Sequence, residues 1–297
     1  MDGVLLIDKP SGPTSHDVVA RLRRTSGEKS IGHTGTLDPR ATGLLPLVLG
    51  RATRLASLLT GGDKVYEATL RLGVATDTDD ADGRPLSEPA TALPTDDALT
   101  NALGGFVGTF DQTPPSHSAK KIGGRKAYEL ARREEPVELK PVTVTVRALE
   151  CTGREGDLVH IRVRASSGFY VRALARDLGA RLGCGAHLVG LRRTHSGSFD
   201  VTQALPLEDA ERLGREVAAH VLAPADALPD LPTVRTTEAG LRRALHGNPL
   251  GPEHLESRWL PPATSALPVK VLASDDGRLV ALARSRGGAL HPVVVLG

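Results

Sequence analysis

The chain has 297 residues, enough for one large domain or a domain with a small appendage, and enough to bury a core without disulfide or metal staples. Its 37 Lys and Arg against 35 Asp and Glu leave a net charge of +2, which neither demands nor forbids a nucleic-acid partner. Two cysteines without CxxC spacing exclude a disulfide framework, no run approaches the roughly 18 apolar residues of a membrane span, and the N-terminus lacks the basic start of a signal peptide, so a reducing, cytoplasmic setting is expected.

Val4 to Ile7 reads as a short strand, followed by a turn cluster at Lys9 to Thr14. Ser15 is the expected cap of a helix running to about Arg24, with Val18, Val19 and Leu22 on one face. Ile31 to Gly43, IGHTGTLDPRATG, is too rich in glycine to make a good helix or strand, and such a segment usually presents a side chain. The side chain it singles out is Asp38. The commonplace alternative for Asp38-Pro39 is a helix start, but Gly43 and Pro46 would cut that helix to one turn.

Leu44 to Leu49 then reads as a buried strand, Ala52 to Leu59 as a helix, and the alternating Val65 to Leu72 as a strand. Asp77 to Asp82 is an acidic loop, and Thr95 caps a helix to about Leu103. Gln112 to Lys121 is a stiff polar loop leading into a basic helix of about Arg125 to Glu134. Strands are expected at Val142 to Glu150 and Leu158 to Ala165, then a helix from Phe169 to Leu182 with Arg172 and Arg176 one turn apart. Strands at Leu188 to Arg193 and Ser196 to Thr202 and a helix from Leu207 to Ala219 follow. After a Pro-rich linker near Leu228 to Pro232, short strands at Val269 to Ala273, Leu279 to Arg284 and Leu290 to Leu296 predict a small β-appendage.

Aromatics are scarce, and Tyr66, Tyr128 and Tyr170 each lie beside charged or glycine-rich sequence, where a ring can serve as a base-stacking platform. There is no GxxxxGK[ST] loop, no dinucleotide fingerprint, no HExxH and no zinc-deaminase signature, so chemistry is expected to run on side chains alone.

Four stretches in register resemble one family. GHTGTLDPRATGLLP is similar to the catalytic motif of TruB-type tRNA pseudouridine synthases, and KVYEATLRLGVATDTDDADG to their second motif, with Tyr66 at its tyrosine. TPPSHSAKKIGGRKAYELAR resembles their RNA-contacting insertion, although His117 stands where members often carry an aromatic. SSGFYVRALARDLGARLGCGAHLVGLRR resembles the third motif, with Tyr170, Arg172 and Leu191 at matching positions. GVLLIDKPSGPTSHDVV also fits, so the likeness spans Gly3 to Arg193.

The resemblance implies an α+β pseudouridine synthase fold: a mixed, largely antiparallel central sheet flanked by helices, plus a small β-barrel-like domain of PUA type. It implies a catalytic domain at 1–230, with its insertion at about 112–141, and an RNA-binding domain at 231–297. The activity implied is isomerisation of uridine to pseudouridine at position 55 in the T loop of tRNA, with the base flipped out and no cofactor. Asp38 is implied as the catalytic carboxylate, attacking C1′ or C6 or taking a proton from C2′, with Arg172 paired to it. Tyr66 is implied to stack on the uracil, Tyr170 to line the pocket, Leu191 to give apolar contact, His33 to fill the space the base leaves, and Lys120 and Lys121 to meet RNA. Thr34 and Ala41 favour the stand-alone type over guide-RNA-dependent relatives that read GHSGTLDPKVTG, so a monomer without guide RNA or obligatory protein partner is expected. A non-catalytic RNA-binding protein is disfavoured because Asp38, Tyr66, Tyr170 and Arg172 are all present. A glycosidase is disfavoured because no second carboxylate stands out beside Asp38.

Overall fold

The computed structural model describes residues 1–116, 139–257 and 267–297, together with the backbone of two short strands at 121–122 and 125–126. Strand β1 (Gly3–Lys9) is buried almost throughout. Helix α1 (Ser15–Ser26) is capped one residue earlier than expected. Thr14 accepts from the Asp17 backbone N–H, and Asp17 accepts in return from the Thr14 N–H, a reciprocal capping box. Ser15 is thereby freed to turn inward, where its hydroxyl accepts from the Leu37 N–H at 2.9 Å.

Strand β2 (Ile31–His33) pairs antiparallel with β3 (Thr42–Leu49), so the first three residues of the glycine-rich segment are strand rather than loop. The expected helix at Ala52 to Leu59 divides into a 3₁₀ stretch, Gly50–Leu55, and a short α2 (Ala56–Thr60). Strand β4 (Lys64–Leu72) alternates as read, with Tyr66, Ala68, Leu70 and Leu72 inward. Burying each of its larger apolar side chains contributes on the order of 1.5–3 kcal/mol. Helix α3 (Asp96–Gly104), capped by Thr95, precedes β5 (Gly108–Gln112), a strand the sequence pattern did not announce.

Strands β6 (Lys121–Ile122) and β7 (Arg125–Lys126) pair as a hairpin. The expected basic helix therefore does not begin at Arg125, and the rest of that stretch lies outside the described residues. Strand β8 (Val142–Glu155) outruns its expected end at Glu150 by absorbing two register shifts, and it turns at Gly156 into β9 (Leu158–Ala165). Helix α4 (Val171–Leu182) packs Leu174, Ala175 and Leu178 onto the sheet. Strand β10 (Ala186–Ser196) follows, then β11 (Phe199–Asp200), where Asp200 accepts from the Thr202 N–H and turns the expected strand into a 3₁₀ turn. Strand β12 (Leu205–Pro206) leads to α5 (Leu207–Leu213). This helix stops well before Ala219 because Gly214 takes a positive φ of 56°.

Ten strands form one sheet in the order β12-β1-β3-β10-β4-β9-β8-β5, with β2 on β3 and β11 on β10. The β1·β12 and β3·β10 pairs are parallel and the others antiparallel, the mixed α+β architecture expected. A second sheet, β13 (Thr233–Arg235), β14 (Val269–Leu272), β15 (Leu279–Arg286) and β16 (Ala289–Val295), carries helix α6 (Glu238–Leu245). Leu272, Leu279, Leu282 and Leu296 pack with Val4, Leu6, Leu44 and Leu55, so the two sheets share part of a core. Among the described residues no helix is long and apolar enough to cross a membrane.

The pairing sets one row across the large sheet. Lys9 on β1 lies opposite Gly43 on β3, Gly43 beside Arg193 on β10, and Arg193 opposite Tyr66 on β4. That row forms the floor beneath the Asp38 loop.

Candidate active site

Asp38 sits at the crest of a loop that is tied down on both sides. Leu37 and Ala41 are buried, whereas the Asp38 side chain remains 44% exposed. The Ala41 N–H donates to the Asp38 carbonyl, and the Gly12 N–H to Pro39. Beneath them the Lys9 ammonium, fully buried, donates to the carbonyls of Pro10 (2.9 Å), Pro39 (3.0 Å) and Ala41 (2.6 Å). Burial pushes its pKa down to about 8; the Asp38 charge opposes that shift and Arg193 adds to it.

The facing wall is the start of α4 and the acidic loop before α3. Arg172 is almost completely buried, yet its guanidinium reaches Asp38 Oδ2 at 3.0 Å, Asp80 Oδ2 at 3.5 Å and the Thr78 carbonyl at 3.3 Å. One cation thus bridges a carboxylate from each wall. The acidic loop is no solvated charge run. Asp79 adopts φ 62° and turns inward to Arg176 at 3.1 Å, burial raising its carboxyl pKa. The Asp79 carbonyl accepts from Leu188 N–H, and the Ala81 N–H donates to the Leu188 carbonyl, pinning the loop to β10. Between the walls lies a cleft of about 810 Å³ lined by Asp38, Arg40, Asp80, Arg172 and Leu191 among others. That volume falls in the range of roughly 300–1,000 Å³ typical of small-molecule sites. Among the described residues no three His, Cys, Asp or Glu side chains gather as a metal site.

Residues 23–171 match the TruB family pseudouridylate synthase N-terminal domain, and residues 172–228 the tRNA pseudouridylate synthase B C-terminal domain. A tRNA pseudouridine synthase B of Thermobifida fusca is 45% identical over 304 residues, 99% of this chain and 98% of that protein. The chain belongs to the TruB family of tRNA pseudouridine synthases. It is accordingly an enzyme of the class that isomerises uridine to pseudouridine in tRNA. A further relative, from Solibacter usitatus and also named tRNA pseudouridine synthase B, is 48% identical over 240 residues, 80% of this chain and 82% of that protein. Among solved structures, a chain of a Cbf5–Nop10–Gar1 complex shares the fold with a TM-score of 0.76 at 26% identity, covering 99% of this chain and 85% of that one.

Of the residues singled out in this TruB-family sequence, Asp38, Arg172 and Leu191 meet in the one cleft. His33 lies behind the wall, its ring edge-on to His16 at 5.3 Å, and it is His16 that faces the cleft. Tyr66 is a buried core residue directly opposite Arg193 in the pairing of β4 with β10. Tyr170 precedes α4; its N–H donates to Gln112 Oε1 at 2.8 Å while Gln112 Nε2 returns a bond to its carbonyl at 3.1 Å. His117, Tyr128 and Lys120 lie outside the described residues, and Lys121 is described only as a position in β6.

Residues that sequence reasoning passed over are Lys9, Asp80, Gln112 and Arg193. Strand alternation could have found Arg193. In the pair Arg192-Arg193 on one strand, one side chain must face out and the other in. Arg192 faces out to Asp8, at 3.0 and 2.7 Å, and Arg193 is buried. Lys9 carried a comparable signal, since alternation along β1 puts it on the face of Leu5 and Ile7. Asp80 and Gln112 carried none.

Proposed function

We propose that this enzyme converts the T-loop uridine at position 55 of tRNA to pseudouridine, with Asp38 as the reacting carboxylate. The observation that carries the reading is the buried Arg172 guanidinium 3.0 Å from a half-exposed Asp38 in the lining of a cleft. The guanidinium pairs with the carboxylate in a charge-assisted contact and aims it into the cleft. An ionised oxygen is the common requirement of attack at C1′, attack at C6, or removal of the C2′ proton. The uracil then leaves C1′, rotates, and rejoins through C5. Atoms balance within the nucleoside, so the reaction calls for no cofactor or energy source.

The uridine reaches Asp38 by leaving its stack, at a cost of a few kcal/mol that is smaller in a loop than in a duplex. Leu191 provides apolar contact from the cleft wall. Tyr66 stacks on the uracil, Tyr170 lines the pocket, and His33 fills the space the base leaves. Lys120 and Lys121 meet phosphate from the insertion at 112–141. Residues 1–230 act as the catalytic domain and 231–297 as a PUA-like second grip on the RNA. The wording of the catalytic loop, Thr34 and Ala41, favours the stand-alone type that needs no guide RNA.

The test is direct. The purified chain is incubated with an unmodified T-arm stem-loop, without nucleotide, added metal or guide RNA, and pseudouridine is mapped. One modified position in the loop is expected. Modification elsewhere, or none, overturns the site assignment.

A further inference from the structure

Arg193 heads the fully buried side chains among the described residues. A guanidinium taken out of water usually sits against a carboxylate. Arg193 forms no ion pair among the described residues. Its Nε donates to the Leu44 carbonyl at 2.8 Å and its Nη2 to the Gly35 carbonyl at 3.1 Å, and Tyr66, directly opposite on β4, turns its hydroxyl toward the same guanidinium. Arginine only donates, so in that contact the phenol oxygen is the acceptor.

The surrounding backbone is shaped to admit this side chain. Gly43, its neighbour on β3, has φ 97°, and a Cβ there would strike the Arg193 carbonyl. A Cβ at Gly35 would stand 3.3 Å from Nη1, tighter than ordinary packing. Gly35 of the catalytic motif therefore makes room for the guanidinium itself, and Gly43 lets β3 approach the Arg193 backbone. The next charge along the row is Lys9, whose ammonium Arg193 repels. A cation held beside another buried cation, with no anion of its own, is an expensive arrangement for mere packing, since an apolar side chain would fill the space at lower cost.

We propose that Arg193 is a positioning residue for the isomerisation: it fastens the Tyr66 hydroxyl and the Gly35 arm of the Asp38 loop to one guanidinium, so that phenol and carboxylate meet the nucleoside in fixed register. The inference rests on the reading above that places Tyr66 at the reacting centre. Two parts separated in sequence, β4 and the Asp38 loop, are joined through a planar fork with fixed angles. Lysine cannot reproduce that fork, because its donors share one nitrogen, whereas Nε and Nη2 of Arg193 reach their acceptors from separate positions on a rigid plane.

Single-turnover rates on the unmodified T-arm stem-loop, with RNA affinity measured in parallel, test this on Tyr66→Phe, Arg193→Lys and the double variant. Arg193→Lys is expected to slow the chemical step by roughly 10²-fold with RNA affinity within about threefold, because a misplaced group costs rate rather than binding. The double variant is expected to be no slower than the slower single variant, the signature of residues acting as a unit. Multiplying effects, or a full rate in Arg193→Lys, would overturn the proposal. A full rate in Tyr66→Phe would instead remove the placement of Tyr66 on which it rests. Tyr66→Phe also gives a reading that needs no arginine variant to fold. It leaves a buried N–H without its acceptor, so Tm is expected to fall by roughly 3 °C or more, and an unchanged Tm would overturn the proposal.

Discussion

The two sheets are built on opposite terms. The smaller one is filled by Val269, Val271, Ala281, Ala283 and Leu290, and its single buried polar residue among the described residues is Thr236. The larger one buries Lys9, Lys64, Asp79, Arg172 and Arg193. Among the described residues, charge that is costly to desolvate is thus confined to the part of the molecule that carries the cleft, where Lys9 and Arg172 hold the Asp38 loop itself. The apolar sheet gains its stability from burial alone. The polar sheet gives up stability to hold a carboxylate, a loop and a phenol in place. The comparison teaches where substitutions should be felt as lost rate and where as lost stability.

The sharpest break of that contrast is at Asp38. Asp38→Asn keeps the size of the side chain and removes its charge, and turnover is expected to fall by roughly 10⁴-fold or more while RNA binding persists. Substantial residual turnover in a clean preparation would leave the buried charges without a catalytic purpose. The matching experiment on the smaller sheet is Leu290→Ala. It removes a fully buried side chain and should cost about 2–5 kcal/mol in denaturant unfolding. The rate per folded molecule should stay unchanged. A large loss of rate there would show that the second sheet reaches into the chemistry.

Much of this arrangement is legible in the sequence, and the boundary has physical causes. Periodicity reveals β4, β9, α1 and α4 because each has one wet and one dry face. The pairing of Asp38 with Arg172 follows from family motifs and not from spacing, because 134 positions separate them (172 − 38) and only the fold brings them together. The strand β2 hides in IGH because a three-residue edge has no period to read. The helix expected to Ala219 breaks at Gly214, whose positive φ of 56° ends α5, and a 3₁₀ stretch carries on to His220. Asp79 and Asp80 look like surface charge because an acidic run gives no sign of which members Arg172 and Arg176 will draw inward.

The contrast is sharpened next by pH. The folded pKa of Lys9 is about 8 against 10.5 for a free lysine. Between those values the unfolded chain holds a proton that the folded chain has released, so the contribution of Lys9 to stability rises with pH across that window. Activity should move the other way. A neutral amine has two N–H donors for three carbonyls, and the Asp38 loop loses an anchor. The rate is expected to decline above pH 8, by up to about tenfold per unit, with no parallel loss of stability from this residue. Lys64 is also lowered to about 8, but it holds the Thr60 and Gly62 carbonyls instead. Lys64→Met should therefore keep the alkaline limb, and Lys9→Met should give a low, flat profile. A limb that disappears with Lys64 and not with Lys9 would reassign it.

Smaller effects are expected from the basic insertion. Replacing Lys120 and Lys121 with Gln should weaken RNA affinity several-fold and lower the salt slope of log K by about 0.7–0.9 for each lysine that meets a phosphate. An unchanged slope would show that neither touches phosphate.

The least effect is expected where an ion pair is wet. Arg40 and Asp82 form a salt bridge at the cleft, joining the Asp38 loop to the acidic loop, and both are more than half exposed. It repeats, in open solvent, the geometry that Arg172 and Asp38 achieve against a buried wall. Water screens the attraction and two side chains lose freedom to make it, so such a pair contributes about 0–1 kcal/mol. A double-mutant cycle of Arg40→Gln and Asp82→Asn should give a coupling energy in that range that vanishes in high salt. The same cycle on Arg172→Gln and Asp38→Asn should give a larger, salt-resistant coupling, since one partner is buried. Equal couplings would mean that burial of the Arg172 guanidinium does not strengthen its hold on Asp38, and the distinction between the polar wall and its solvated rim would fail.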